Sequence, residues 1–396
     1  MIPSFDRVII LADESANWEI AGLRQLDRLA LALDEFARSI SSQRKIEIVI
    51  FWRPDIAPDK RWQPNHPRLT RCQFVEGLAV GSGERFLNTR LLVKRNGIDQ
   101  LLRHVIPLEF DPTLGDEPAV WKKLWERIEE QRATSDVSFG SNGWRYVASS
   151  AEIPQTERWL LRRSGKSRDG FVSLYLNRPI SRMVSRFLLK TSITPNLWTV
   201  VITAFPLIGF LFLIRGTYAG FVIGAALFNL QSILDGCDGE IARAKYLDSE
   251  KGPGIDAFGD LIALLLFSIG LAFGLFRSAQ QHAVSHWVFL GEGVLTFVFI
   301  VLRLVPDHVL DLLRRGPEAV AYSKNDDRLR RSGGRVFGDR FTSWAFELTK
   351  RDVVFLAFLI GAALGLARWI LHLLFVYAVV TLVLSWRGRA GRETMA

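Results

Sequence analysis

Two patterns of apolar and polar positions divide the chain. In the first, short apolar runs alternate with polar stretches. RVIILA (7–12) and IEIVIFW (46–52) are continuous apolar runs of strand length, as expected of strands covered on both faces. QFVEGLAV and TRLLVK are shorter strand candidates. Between 19 and 40 the apolar positions, among them Leu23, Leu26, Leu29, Leu31 and Leu33, keep helical spacing. AVWKKLWERIEEQ (119–131) predicts another helix. Strands alternating with helices predict an α/β domain with a mostly parallel sheet over residues 1–155.

The second pattern begins near 193. Apolar runs occupy 197–214, 218–234, 257–276, 287–305, 352–368 and 370–386. Each is close to the roughly 17–20 residues that cross a bilayer as a helix. Backbone in lipid must satisfy its own hydrogen bonds, so six transmembrane helices within 193–390 are expected, an all-α membrane domain. Between the two patterns, 156–192 reads as a basic linker followed by an interfacial helix. In FVSLYLNRPISRMVSRFLLK (171–190), Arg178, Arg182, Arg186 and Lys190 fall four apart on one face of a helix with apolar residues opposite. Such a helix lies at headgroup level; a soluble helix with a solvated face is the alternative.

Charge sharpens this picture. The chain of 396 residues carries a net +9, most of it beside the apolar half. Anionic headgroups or phosphorylated substrates suit that position better than nucleic acid. The stretch 306–351 holds Arg314, Arg315, Lys324, Arg328, Arg330, Arg331, Arg335, Arg340, Lys350 and Arg351, and Arg387, Arg389 and Arg392 follow the last run. The intervening loops RGTYAG and RSAQQHAVSH are poor in charge. The positive-inside rule then places both termini in the cytoplasm. MIPSFDRVIILADES has no basic region followed by a long apolar core, so no signal peptide is expected. Two distant cysteines, Cys72 and Cys237, give no disulfide or metal framework.

One polar stretch sits where the pattern is most apolar. DGCDGEIARAKYLDSEKGPGIDAFGD (235–260) places Asp235, Asp238, Asp256 and Asp260 at separations of three, eighteen and four. Residues three or four apart share a helical face. Two pairs of carboxylates therefore face each other if the second and third spans lie side by side. Four uncompensated carboxylates at a membrane edge are costly, so they protonate or bind cations. Oxygen-only sites suit Mg²⁺ or Mn²⁺, and four carboxylates can hold two ions, an arrangement used in phosphoryl transfer. Gly239 and Ala242 leave room for a substrate, and Arg243 can meet a phosphate. A charge network paired with nearby arginines and an ion pathway are the alternatives.

The pattern Asp235-x2-Asp238-Gly239-x2-Ala242-Arg243-x8-Gly252-x3-Asp256-x3-Asp260 resembles the signature of the CDP-alcohol phosphotransferases (CDP-alcohol phosphatidyltransferases). ITPNLWT (193–199) also resembles the family segment that opens the first span. The resemblance covers roughly residues 170–387. It implies transfer of a substituted phosphate from a CDP-alcohol to the hydroxyl of an acceptor alcohol, with release of CMP. It implies Asp235, Asp238, Asp256 and Asp260 at two divalent metals, Asp260 as general base, and Gly239, Ala242, Arg243 and Gly252 at the CDP moiety. It also implies a homodimer.

DGFVSLYLNRPISRMVSRFLLKTSITPN and SILDGCDGEIARAK are similar to one branch, in which an N-terminal nucleotidyltransferase-like domain precedes the transferase. Some members of that branch make CDP-inositol in the first domain and inositol phosphodiesters in the second. Residues 1–155 depart from the active pattern. Where a Gly-rich, phosphate-cradling loop is expected, the chain has ILADESANWEIAGLRQL, with Asp13 and Glu14. TRLLVKRNG ends in Lys94, Arg95 and Asn96 where a metal-binding Asp is expected. The first domain is therefore expected to keep a Rossmann-like fold without the activity. A bifunctional enzyme with an active first domain, or a non-catalytic scaffold or transporter with a metal-structured site, are the competing readings. CDP-diacylglycerol and CDP-inositol remain open as donors. Lys350 and Arg351 can bind an acceptor phosphate or anchor the topology, and Arg340 has the same two readings.

Overall fold

Alternate residues of strand β1 (Arg7–Ala12) point to opposite sides of a four-stranded sheet, and both sides are covered. The computed structural model describes residues 7–40, 45–75, 85–95, 97–104, 117–134, 143–162, 170–247, 252–280, 286–315 and 350–393. The chain forms two compact units. One comprises Met1–Lys166, Arg186–Ser192 and Arg243–Tyr246; the other comprises Ser167–Ser185, Ile193–Ala242 and Leu247–Ala396.

In the first unit a small hairpin, β2 (Glu19–Ile20) and β3 (Leu23–Arg24), leads into α1 (Gln25–Ile40). The chain continues through β4 (Ile46–Trp52), β5 (Cys72–Val75), β6 (Arg85–Asn88), β7 (Leu91–Val93), α2 (Ile98–His104), α3 (Glu117–Thr134), β8 (Trp144–Tyr146) and α4 (Ile153–Leu161). The sheet order is β5-β4-β1-β6, and every neighbouring pair is parallel. Val8, Ile10 and Ala12 pack with Leu26, Leu29, Leu33 and Phe36 of α1 on one face. Ile9 and Leu11 pack with Val120, Trp121 and Leu124 of α3 on the other. This is the parallel, doubly covered sheet that the apolar runs predict.

Three details differ from the sequence reading. Strand β6, read from no pattern, pairs directly with β1. The expected helix from 19 begins at Gln25, because Ala21 and Gly22 take positive φ values of 52° and 70° and turn the hairpin. Residues 153–161, read as the end of the domain and a polar connection, form α4, whose Glu157 accepts from the Ala21 N–H at 3.0 Å.

The second unit is helical. A π-helical turn (Ser173–Asn177) precedes α5 (Arg178–Leu188). Then come α6 (Pro195–Ile202), α7 (Ala204–Leu213), α8 (Tyr218–Leu234), α9 (Gly236–Lys245), α10 (Gly252–Gln280), α11 (Trp287–Arg315), α12 (Arg351–Ala363) and α13 (Ala367–Glu393). The break between α6 and α7 has a local cause. Pro206 has no N–H for the Ile202 carbonyl and crowds it. Phe228, Phe267, Phe355 and Phe358 bring α8, α10 and α12 together, with ring centroids 4.7 to 5.5 Å apart. Gly274 lets α10 approach the Leu213 carbonyl of α7 at a distance that a Cβ would block.

Among the described residues three stretches are long and apolar enough to cross a membrane: Pro195–Leu213, Tyr218–Lys245 and Gly254–Ala279. Trp287–Leu302 and Ala367–Val380 are shorter apolar helices, and α12 has 13 residues. Large apolar side chains such as Leu207, Leu211, Val294 and Leu373 face outward, as lipid-facing positions do. Lys324, Arg328, Arg330, Arg331, Arg335 and Arg340 lie outside the described residues.

Candidate active site

Asp235 keeps helical dihedrals and donates its N–H to the Gln231 carbonyl at 2.9 Å, so α8 and α9 follow one another with a single-residue break. Along α9 the residues sort by face. Cys237, Glu240, Ile241 and Ala244 are buried, whereas Asp238, Gly239 and Ala242 are half-buried and Arg243 is exposed. This is the i, i+3, i+4 sorting expected when one face packs and the other stays open.

The buried face has its own anchor. Glu240, 3% exposed, accepts from Ser181 Oγ at 3.0 Å and pairs with Arg178 Nη1 at 3.3 Å. Arg178 Nη1 also reaches the Gly236 carbonyl at 3.4 Å. Thus α5 fastens the start of α9.

Asp256 and Asp260 lie four residues apart near the start of α10 and so share one of its faces. Gly252 opens that helix. Carboxylate oxygens of Asp235, Asp256 and Asp260 lie within 4.8 Å of one another. Arg351, at the start of α12, pairs with Asp235 at 2.6 Å and also with Asp260. One guanidinium against three carboxylates leaves the group net acidic. Asp256 Oδ1 is buried and, among the described residues, has no hydrogen-bond partner. An orphaned carboxylate oxygen inside an all-oxygen, net acidic group fits a hard divalent cation.

Asp238 is not one of those three, and its carboxylate has partners of its own. Its Oδ2 accepts from Thr199 Oγ1 of α6 at 2.8 Å, and its Oδ1 accepts from the Gly239 N–H at 2.5 Å. Trp198 Nε1 donates to the Leu234 carbonyl at 3.1 Å, which ties α6 to the end of α8 just before Asp235. The start of α6 is itself set by Thr194 and Pro195, a capping hydroxyl followed by proline at the first helical position.

The structure therefore brings Asp235, Asp256 and Asp260 together as the spacing requires and places Asp238 beside them in sequence but on a different partner. Thr199 and Glu240 were not singled out from sequence, although Thr199 lies in the quoted ITPNLWT, and Arg178, read as part of a basic stripe at headgroup level, pairs instead with the buried Glu240. Arg351, read as a phosphate ligand or topology anchor, is a partner of the acidic group.

A membrane-embedded helical domain with a polyacidic group at a helix junction is the class that fold and site define. Residues 192–322 match the family model described as CDP-alcohol phosphatidyltransferase. Curated relatives point the same way. A protein of Thermococcus kodakarensis named bifunctional IPC transferase and DIPP synthase is 38% identical over 169 residues, 42% of this chain and 38% of that protein. One of the same name from Rubrobacter xylanophilus is 37% identical over 163 residues, 40% of this chain and 36% of that protein. One from Aquifex aeolicus is 28% identical over 242 residues, 60% of this chain and 48% of that protein. The matched stretches span less than half of each of these relatives.

Proposed function

We propose that this chain is an integral-membrane CDP-alcohol phosphotransferase of inositol-phosphodiester synthesis. The observation that carries the reading is the convergence of Asp235, Asp256 and Asp260 within 4.8 Å inside the stretch that matches the family model. The names of the relatives favour an inositol-type donor over CDP-diacylglycerol, and of the two activities in those names the DIPP synthase is the one assigned here to residues 170–387.

In this reading Asp235, Asp238, Asp256 and Asp260 would hold Mg²⁺ or Mn²⁺, enough carboxylates for two ions, with the Thr199 hydroxyl keeping Asp238 in orientation. A divalent ion, when bound, supplies neutralisation of the diphosphate charge. Asp260 takes the proton from the acceptor hydroxyl. The acceptor oxygen forms a bond to the phosphorus that carries the donor alcohol. The bond from that phosphorus to the oxygen of the neighbouring phosphate breaks, and CMP leaves with the electron pair. Gly239, Ala242 and Gly252 leave space for the CDP moiety, and Arg243 offers its guanidinium to a phosphate.

The remaining spans, Trp287–Leu302, α12 and α13, complete six crossings in this proposal. Both termini and the acidic group face the cytoplasm, in line with Arg314, Arg315, Arg387, Arg389 and Arg392. A homodimer is the expected assembly.

The α/β unit is proposed to lack nucleotidyl transfer. In an open parallel sheet, ligands bind beyond the carboxyl ends of the strands. There Asp13, 1% exposed, accepts from Ser15 N–H at 2.9 Å, from Thr89 Oγ1 at 3.1 Å and from Arg90 Nε at 2.9 Å. A fixed internal anion thus stands where a triphosphate needs donors. The CDP-alcohol must then be supplied by a separate nucleotidyl transfer from CTP to an alcohol phosphate.

The test is CMP release from purified protein with Mg²⁺ or Mn²⁺, over a panel of CDP-alcohols and of inositol, inositol phosphate, glycerol phosphate and serine as acceptors, with Asp260→Asn as the blank. Release that requires CDP-inositol and an inositol acceptor is the expected result. Release with CDP-diacylglycerol alone would move the assignment to phospholipid synthesis, and none from any pair would end the transferase reading.

A further inference from the structure

The compact α/β unit contains more than the N-terminal segment. It also takes in 186–192 and 243–246, and the latter holds the last turn of α9, the helix of Asp238, Gly239 and Ala242. Four observations bear on this turn.

Tyr246 follows α9 with φ of 54°, and the Leu247 N–H bonds back to the Ala242 carbonyl at 2.9 Å. That is the helix ending in which the left-handed residue is ordinarily glycine. A tyrosine there carries a backbone conformational cost that glycine would not. Its side chain is nonetheless 4% exposed, packed in the cluster that contains Leu29, Leu33 and Phe36 of α1. Burial of the ring offsets the conformational cost.

Arg28 of α1 is fully buried and donates to main-chain carbonyls: Nη1 to Ala244 at 2.6 Å and Nη2 to Ile20 at 2.6 Å. Burying a guanidinium is unfavourable unless it meets acceptors. Here one acceptor belongs to the end of α9, where the free carbonyls favour a cation. Lys245 Nζ donates to the Thr191 carbonyl at 2.7 Å. Gly22, at φ of 70°, allows the β2–β3 turn to lie against the Leu189 carbonyl and Lys245 Cε, and a Cβ would collide with both.

We propose that the α/β unit serves as a clamp on the last turn of the motif helix, with Arg28 and Tyr246 as positioning residues for Arg243. The proposal rests on the transferase reading for its consequence, not for its geometry. A domain without nucleotidyl transfer would then be retained because it sets the direction of a donor-binding arginine. Neither Arg28 nor Tyr246 touches substrate in this scheme.

The experiment is steady-state kinetics of Arg28→Met, Arg28→Lys and Tyr246→Gly in the full-length protein, with hydrogen–deuterium exchange over 239–247. Arg28→Met should raise the KM for the CDP-alcohol at least tenfold and leave the acceptor KM within twofold. Arg28→Lys should recover part of that loss, since one ammonium can still reach the Ala244 carbonyl. Tyr246→Gly relieves the backbone cost and keeps the helix ending, so it guards against an Arg28→Met protein that fails to fold. It should still raise the donor KM. Parent values for both KMs in Tyr246→Gly, or in folded Arg28→Met, would overturn the proposal, as would equal rises in both. If the parent protein releases no CMP from any pair, the transferase reading fails and exchange decides the clamp alone. Amides 243–247 should then exchange at least tenfold faster in either variant, and an unchanged rate would remove the clamp.

Discussion

Arg351 and Asp235 are 116 positions apart in the chain, and Arg351 Nη2 stands 2.6 Å from Asp235 Oδ2. The same guanidinium pairs with Asp260. A cation of the protein thus neutralises part of a group whose composition suits a divalent ion, and the two compete for the same oxygens. Removing the arginine strengthens the field on an incoming ion. We expect Arg351→Met to lower the half-saturating Mg²⁺ or Mn²⁺ concentration about tenfold, a difference of about 1.4 kcal/mol. A metal titration followed by thermal shift reads this without turnover. An unchanged midpoint would mean that the arginine and the metal do not share ligands.

Thr199 is the hydroxyl that aims Asp238. A hydrogen bond to a charged acceptor contributes about 1.5–3 kcal/mol, and its loss frees the carboxylate to rotate. Thr199→Val is expected to lower kcat/KM roughly tenfold or more, a change of about 1.4 kcal/mol or more. Thr199→Ser should stay near the parent because the hydroxyl is kept. Equal rates for Val and Ser variants would show that the Asp238 orientation does not matter.

How much of this was legible in the sequence depended on the range of the interaction. β1 and β4 were readable because a strand buried on both faces is apolar at every position. β6, RFLN, was not: it is short, holds Arg85 and Asn88, and is defined by pairing with β1 across 70-odd positions. Asp256 and Asp260 were readable as a pair because a four-residue spacing already fixes a helical face, whereas Asp238, three from Asp235, lies outside the group of three. The Asp238–Thr199 and Arg351–Asp235 bonds join different helices, and no local period encodes them. The pair of His372 Nδ1 and Glu292 Oε2, 2.7 Å apart between α11 and α13, was missed for the same reason. A glutamate and a histidine within apolar runs were the available signal.

Tyr146 gives the α/β unit a defined alkaline limit. Its hydroxyl donates to Glu129 Oε1 at 2.5 Å, and burial, with that carboxylate beside it, pushes the phenol up to about 12. An unfolded tyrosine titrates near 10. The folded value is the higher one, so this contribution to stability is complete below about pH 10 and is lost as pH rises toward about 12. Denaturant unfolding of Tyr146→Phe should show a shallower decline than the parent over that window. Identical declines would place the alkaline limit on another group.

Glu240 and Arg178 form the pair that fastens α5 to α9, with Glu240 Oε1 also accepting from Ser181. The glutamate is 2% and the arginine 16% exposed at the side chain. Breaking a buried pair by removing one partner typically costs about 3–5 kcal/mol, because the other charge is left without compensation. Replacing both with apolar groups removes the unpaired charge as well as the pair. Glu240→Met should therefore lower the melting temperature markedly, and Glu240→Met with Arg178→Met should recover much of it. The double-variant cycle isolates the coupling. Activity separates two consequences of that recovery. If α5 serves only to hold α9, the double variant should regain turnover along with stability. If stability returns and turnover does not, Arg178 or Glu240 has a role in the reaction beyond fastening the helix.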